Sequence, residues 1–264
     1  MVEEVAARWS LTVGEPFPTS SVSWAAPATA AGRPAVLKVQ WPHAECEHEA
    51  LALATWAGDG AVRLLAHDPG RHALLLERCE PGTTLAAAGD PDPLAAFVDL
   101  LPRLWVAPPA ALRTLADEAR AWRASMPGAW ERAGRPCERR LVDAACSLVD
   151  DLLADPPAEA DHVLVHQDLH AENVLAADRR PWLAIDPKPL AGERAFACAP
   201  IVRDPDLGHG RADVLGRLDR LTSELGLDRE RARAWTVVQT TAWSFTSTFA
   251  AEHHQTVRWL LEGC

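Results

Sequence analysis

Along the N-terminal part of the chain, apolar and polar positions alternate with the period of two that a half-buried strand requires. Trp9, Leu11 and Val13 form one such run, Val22 and Trp24 a second, and Val36 to Val39 a third, apolar enough for the middle of a sheet. The period then changes. From Glu45 to Ala57, Glu49, Leu53 and Trp56 recur at spacings of four and three, which predicts a helix. Val62 to His67 and Ala73 to Leu76 are again strand-like and flank Asp68-Pro69-Gly70, a turn sequence, so they predict an antiparallel pair.

Beyond Pro81-Gly82 the pattern is helical. Leu94, Phe97, Val98, Leu101, Leu104 and Trp105 share one face, and further helices are predicted near Leu112 to Ser125, Glu138 to Leu153, Arg211 to Leu225 and Arg229 to Glu262. The α+β organisation expected is therefore a small sheet with one helix over residues 1–80, then a larger helical part over 81–264. The segment Leu76 to Gly82 passes from strand to turn between them, and backbone groups of Arg78, Cys79 and Glu80 are placed to meet an adenine edge.

The helical part is interrupted once. Val163-Leu164-Val165 leads into His166-Gln167-Asp168-Leu169-His170-Ala171-Glu172-Asn173, followed by the strand candidates Val174 to Ala176 and Trp182 to Ile185, the second ending on Asp186. An H-x-D-x-x-x-x-N loop trailed by an apolar strand ending in Asp is how kinase-type folds set a base and two magnesium ligands beside the γ-phosphate of ATP. Asp168 is the candidate base for an acceptor hydroxyl. Asn173 and Asp186 offer the hard oxygens that Mg²⁺ prefers.

Lysine usage sharpens this. Of 26 basic residues only Lys38 and Lys188 are lysine, so a compact ammonium is kept at two places where arginine serves elsewhere. Lys38 lies in the central strand candidate, where a lysine touching the α- and β-phosphates belongs, and Glu49 is its expected partner because it opens the apolar register of the following helix. Lys188, two residues past Asp186, is suited to steadying the transferring phosphate or the Asp168 carboxylate, or to a structural salt bridge. The phosphate clamp is placed at Pro18 to Ser23, where Ser20 and Ser21 replace the usual glycines.

A net charge of −11 disfavours nucleic acid or an anionic membrane as the main partner and suits a cationic small-molecule acceptor. Carboxylates and flat aromatics would receive such an acceptor, and Glu193, Asp204, Asp206 and Trp243 are the candidates. No run of 18 apolar residues occurs and the first residues are acidic, so a cytoplasmic protein, monomeric or weakly dimeric, is expected. Six scattered cysteines without a C-x-x-C pair read as reduced, small hydrophobes, and His253-His254 as surface residues.

Val36-Leu37-Lys38, Glu49, Glu77 to Gly82, the His166 to Asn173 loop and Ile185-Asp186-Pro187-Lys188-Pro189 together resemble the aminoglycoside phosphotransferases. The likeness is nearest to the aminoglycoside/hydroxyurea antibiotic resistance kinase branch, which includes streptomycin 6-phosphotransferases. The resemblance implies a two-lobed, protein-kinase-like fold and phosphorylation of a drug hydroxyl with ATP and Mg²⁺. It also implies that Asp168 is the catalytic base, that Asn173 and Asp186 hold the metal, and that Lys38 and Glu49 position the nucleotide. Three departures stand out: Gln167 where the family carries glycine, Ala197 where it carries an acid that braces the loop, and the glycine-free clamp. A kinase for another small alcohol and a non-catalytic nucleotide binder are the alternatives these leave open.

Overall fold

The computed structural model describes residues 1–18, 23–43 and 47–262. A short helix, α1 (Val2–Arg8), precedes five strands, β1 (Leu11–Val13), β2 (Ser23–Ala30), β3 (Arg33–Gln40), β4 (Leu64–Asp68) and β5 (Ala73–Glu77). These form one antiparallel sheet in the order β1-β2-β3-β5-β4. β3 is central because Ala35, Leu37 and Val39 are buried on one face, while Lys38 projects from the other between Ala25 of β2 and Leu74 of β5. Helix α2 (Glu49–Trp56) packs on that second face with Ala52, Leu53 and Trp56 buried.

The helical lobe contains α3 (Pro93–Leu104), α4 (Leu115–Arg132), α5 (Arg139–Ala154), the single turn α6 (Ala199–Val202), α7 (Arg211–Leu225), α8 (Arg229–Ser244) and α9 (Ala250–Glu262). Two small sheets frame the motif loop: β6 (Pro81–Thr84), β8 (Val174–Ala177) and β9 (Arg180–Ala184) in one, β7 (His162–Val165) and β10 (Leu190–Glu193) in the other. The lobes are joined by backbone as well as side chains. Val62 N–H donates to Ala184 O at 3.0 Å and Ala184 N–H to Gly60 O at 2.9 Å. Arg179, in the β8–β9 turn, donates to Glu77 at 2.6 and 2.8 Å and to the carbonyls of Gly58 and Ala61 at 2.7 and 2.8 Å.

Several expected elements are corrected. The helix predicted from Glu45 begins at Glu49, and Ala57 is its left-handed cap rather than its last residue. Trp9 caps α1, a helix the strand-like alternation concealed, and the strand starts at Leu11. α4 runs through Pro127 to Arg132, because Trp122, Met126 and Trp130 continue a buried stripe that outweighs the proline. The single helix expected over Arg229 to Glu262 is two, broken at residues 245–249, so that α9 folds back on α8 and His254 Nε2 meets Ser244 Oγ at 3.0 Å. That return also buries His253 and His254, which are 5% and 4% exposed rather than on the surface. Of the described cysteines, Cys79 and Cys198 are buried and Cys137 and Cys146 half-buried.

Candidate active site

β3 and α2 set one side of the cleft. The Lys38 ammonium lies 2.7 Å from Glu49 Oε2 and also contacts Asp186 Oδ1, and Gln40 donates to the same Glu49 oxygen. Burial pushes the Glu49 carboxyl up to about 7 against the pull of Lys38. The same burial disfavours charge on Lys38, but the carboxylates of Glu49 and Asp186 outweigh it and keep the ammonium protonated. Burial likewise disfavours charge on Asp186, and Lys38 reverses the balance, holding it below the usual carboxylate range.

The motif loop sets the other side. Lys188 Nζ lies 3.0 Å from Asp168 Oδ2, and Arg203 Nη2 lies 3.4 Å from Oδ1. Asp168 is buried, which disfavours its charge, yet Lys188, His170 and Arg203 together keep it ionised and below the normal range. Such a carboxylate is available to accept a proton. Asn173 Nδ2 donates to the Asp168 carbonyl at 2.9 Å and approaches His170 Nε2 at 3.1 Å, so the amide oxygen is the atom left for a cation. With the Asp186 carboxylate, whose side chain is 38% exposed toward the cleft, this is a donor set of hard oxygens that fits Mg²⁺.

Two residues beside these groups adopt left-handed backbone: Gln167 at φ 67° and Asp186 at φ 56°. The value at Gln167 explains why glycine suits this position. Here the strain is supported by α8, whose Gln239 Nε2 donates to the Gln167 carbonyl at 2.8 Å.

His166 anchors the loop from below. Its Nδ1 accepts the Asp168 N–H at 3.3 Å and its Nε2 faces the Ile185 carbonyl at 2.9 Å, a pairing that needs a neutral ring protonated on Nε2. Burial lowers its pKa to about 4 and that of buried His253 to about 3. Because both folded values lie below the unfolded histidine value, the unfolded chain binds more protons through this window, and stability declines as pH falls from about 6.5. Each ring is expected to contribute about 1.4 kcal/mol per pH unit down to its folded pKa. Thermal unfolding between pH 7 and 5 measures this; an equally steep decline in His166→Asn would remove His166 from the account.

The sequence candidates for the acceptor divide. Glu193 is corrected: it is 3% exposed, pairs with Arg231 and accepts the Trp235 indole N–H at 2.5 Å, so it braces β10 against α8. Asp204 is corrected as well. Its Oδ2 accepts the Ala171 N–H of the loop at 2.7 Å and its Oδ1 the Asp206 N–H at 3.0 Å, so it supplies the loop brace missing at Ala197. Asp206 is exposed. Trp243 faces two cations, with Lys188 Nζ 4.8 Å and Arg203 Cζ 4.6 Å from the ring centre. Arg78 and Glu80 pair at 3.7 Å around buried Cys79, and Ser20 and Ser21 lie outside the described residues. Arg203 was not singled out by sequence; nothing distinguishes it among so many arginines.

Asp204→Ala is expected to strand the buried Ala171 N–H, costing about 1–3 kcal/mol. The displaced loop should lower turnover by roughly tenfold to a hundredfold. Thermal unfolding and steady-state kinetics check both; turnover that survives the lost stability would restrict Asp204 to the fold.

A profile of the aminoglycoside/hydroxyurea antibiotic resistance kinases matches residues 8–249. The chain is 41% identical to a streptomycin 6-kinase of Streptomyces glaucescens over 95% of its length and 84% of the relative's. It is 42% identical to a hydroxyurea phosphotransferase of Kitasatospora aureofaciens over 92% of its length and 72% of that protein's. Among solved structures, an aminoglycoside phosphotransferase in ternary complex with ADP and hygromycin B superposes with a TM-score of 0.70 at 16% identity, covering 98% of this chain and 97% of that one. A choline/ethanolamine kinase family protein from Mesorhizobium loti gives 0.70 at 13% identity over 99% and 95%. These two share the two-lobed, protein-kinase-like fold. The chain belongs to the aminoglycoside/hydroxyurea antibiotic resistance kinases and is a small-molecule O-phosphotransferase.

Proposed function

We propose that the protein transfers the γ-phosphoryl group of ATP to a hydroxyl of an aminoglycoside-type antibiotic, streptomycin foremost and at its 6-hydroxyl, and so confers resistance. The observation that carries the reading is an ionised Asp168 held between two cations, in a chain 41% and 39% identical to two streptomycin 6-kinases. In this mechanism Asp168 accepts the proton of the attacking hydroxyl as the oxygen meets phosphorus. Lys38, fixed by Glu49, binds the α- and β-phosphates. Asn173 and Asp186 would hold Mg²⁺, which would offset the negative charge of the phosphates. Lys188 and Arg203 compensate the negative charge gathered around Asp168.

The likeness to a hydroxyurea phosphotransferase supports a second acceptor, a small uncharged hydroxylamide that the same base would deprotonate. We further propose that residues 1–80 and 81–264 are the two lobes, with the segment at Arg78, Cys79 and Glu80 facing the adenine, and that the enzyme acts in the cytoplasm as a monomer or weak dimer. No helix among the described residues is long and apolar enough to cross a membrane. Incubation of the purified protein with Mg-ATP and a panel containing streptomycin, other aminoglycosides and hydroxyurea tests the reading. A gain of one phosphate on streptomycin by mass supports it. Transfer to hydroxyurea alone selects the second acceptor, and ATP binding without transfer to any member contradicts both.

A further inference from the structure

Three distant segments converge on one carboxylate. Lys188 lies in the segment after β9, Arg203 is the C-cap of α6, and Trp243 lies in the last turn of α8. The two cations approach opposite oxygens of Asp168, at 3.0 and 3.4 Å, and both also lie over the indole of Trp243, at 4.8 and 4.6 Å from its centre. The carboxylate of Asp186 also acts on Lys188 and that of Asp204 on Arg203. The electron-rich ring face adds a further attraction to both cations.

The arrangement matters most for lysine. Its four-carbon stem is flexible and its side chain here is 21% exposed, so other rotamers leading to solvent compete with the one that reaches Asp168. A rigid indole in contact with the ammonium favours the reaching rotamer. Trp243 is half-buried, its inner side packed against the core, whereas Trp235 on the same helix is buried. Around Asp168 and its two cations lie His170, 4.0 Å from Oδ1, and also His166, Asp186 and Asp204. Neither histidine ring stacks on the indole among the described residues.

We infer that Trp243 is a positioning residue for phosphoryl transfer: its indole holds Lys188 and Arg203 against the two oxygens of Asp168 and so fixes the carboxylate plane presented to the acceptor hydroxyl. The inference rests on Asp168 being the base that receives the acceptor proton.

Two measurements test it. Because the chain has two lysines, a protein carrying ¹³Cε-lysine gives two side-chain signals, which Lys188→Met assigns. The Lys188 signal is expected at high field from the indole ring current and should return to an ordinary position in Trp243→Leu. A Lys188 signal without that displacement overturns the inference whatever the enzyme's activity. The second measurement is a kinetic cycle. Trp243→Leu should lower kcat about tenfold or more while the KM for Mg-ATP changes by less than about twofold, and Trp243→Phe should restore most of the rate. In a Lys188→Met background, Trp243→Leu should cost less than about threefold further, since it acts through the cations. Multiplying effects would show an independent structural role and overturn the inference while leaving Asp168 as base. If Asp168→Asn transfers phosphate as fast as the unaltered protein, the reading of Asp168 fails, and the inference with it.

Discussion

Asp168→Asn lowers the rate of phosphoryl transfer by about 10³-fold while leaving Mg-ATP binding within about threefold, the largest effect expected of any single substitution in this chain. The amide is close to the carboxylate in shape and its oxygen still accepts a hydrogen bond from Lys188, which lies at 3.0 Å. It cannot take up the proton of the acceptor hydroxyl. Its loss of charge also leaves Lys188 and Arg203, 21% and 8% exposed, facing each other with no anion between them. Removing one member of a buried charge cluster is costly, so the variant should also unfold at lower temperature. Transfer measured by mass shift and nucleotide binding measured by titration calorimetry separate the two effects. Turnover within tenfold of the unaltered enzyme would mean that the hydroxyl loses its proton elsewhere.

Lys38→Met is expected to lower kcat/KM for Mg-ATP by roughly 10²- to 10³-fold, because a fixed positive charge aimed at the phosphates is replaced by an apolar group of similar length. Its second effect is on stability, and its sign follows from Glu49. This carboxyl is 1% exposed and already raised to about 7 with the ammonium beside it. Without that ammonium it rises further. A carboxyl whose pKa is raised by folding contributes stability that is present below its unfolded value and lost as pH climbs through its folded value. The variant should therefore resemble the unaltered protein most closely at mildly acid pH and fall behind it increasingly above pH 7. Thermal unfolding across pH 5.5 to 8.5 reads the divergence. A constant offset across that range would show that Glu49 keeps its charge without Lys38. The double variant Lys38→Met with Glu49→Gln should lose the divergence but regain no activity.

The parts of this site that were legible in the sequence share a property: they depend on short-range spacing. Asp168, Asn173 and Asp186 sit in one loop-strand-strand unit, and the partnership of Lys38 with Glu49 follows from a central strand and the first residue of an apolar helical register. What was not legible depends on contacts across the chain. Arg203 reaches Asp168 from 35 residues away, and its type is too common here to signal a role. Glu193 looked available to a cationic acceptor because its partners, Arg231 and Trp235, lie on a helix whose docking against β10 no local pattern reveals. Asp204 was misread for the same reason, since the N–H it receives belongs to Ala171. The break between α8 and α9 was hidden because apolar residues continue through Phe245 and Phe249 without glycine or proline. The return of α9 across α8 gives Phe245 and the two adjacent histidines their surroundings and leaves Phe249 exposed.

Helix α2 is pinned at both ends. Glu49 holds Lys38 at its start, while at its finish Trp56 stacks on His166 with ring centres 6.1 Å apart and donates its indole N–H to the Leu104 carbonyl at 2.9 Å. In regulated protein kinases the corresponding lysine–glutamate pair is made and broken as the helix swings, and that motion is the switch. Here a swing would have to unstack a buried tryptophan from the base of the catalytic loop, beside a backbone seam that already ties residues 60–62 to Ala184. With that exit closed by packing, the lysine–glutamate contact is built into the fold rather than acquired.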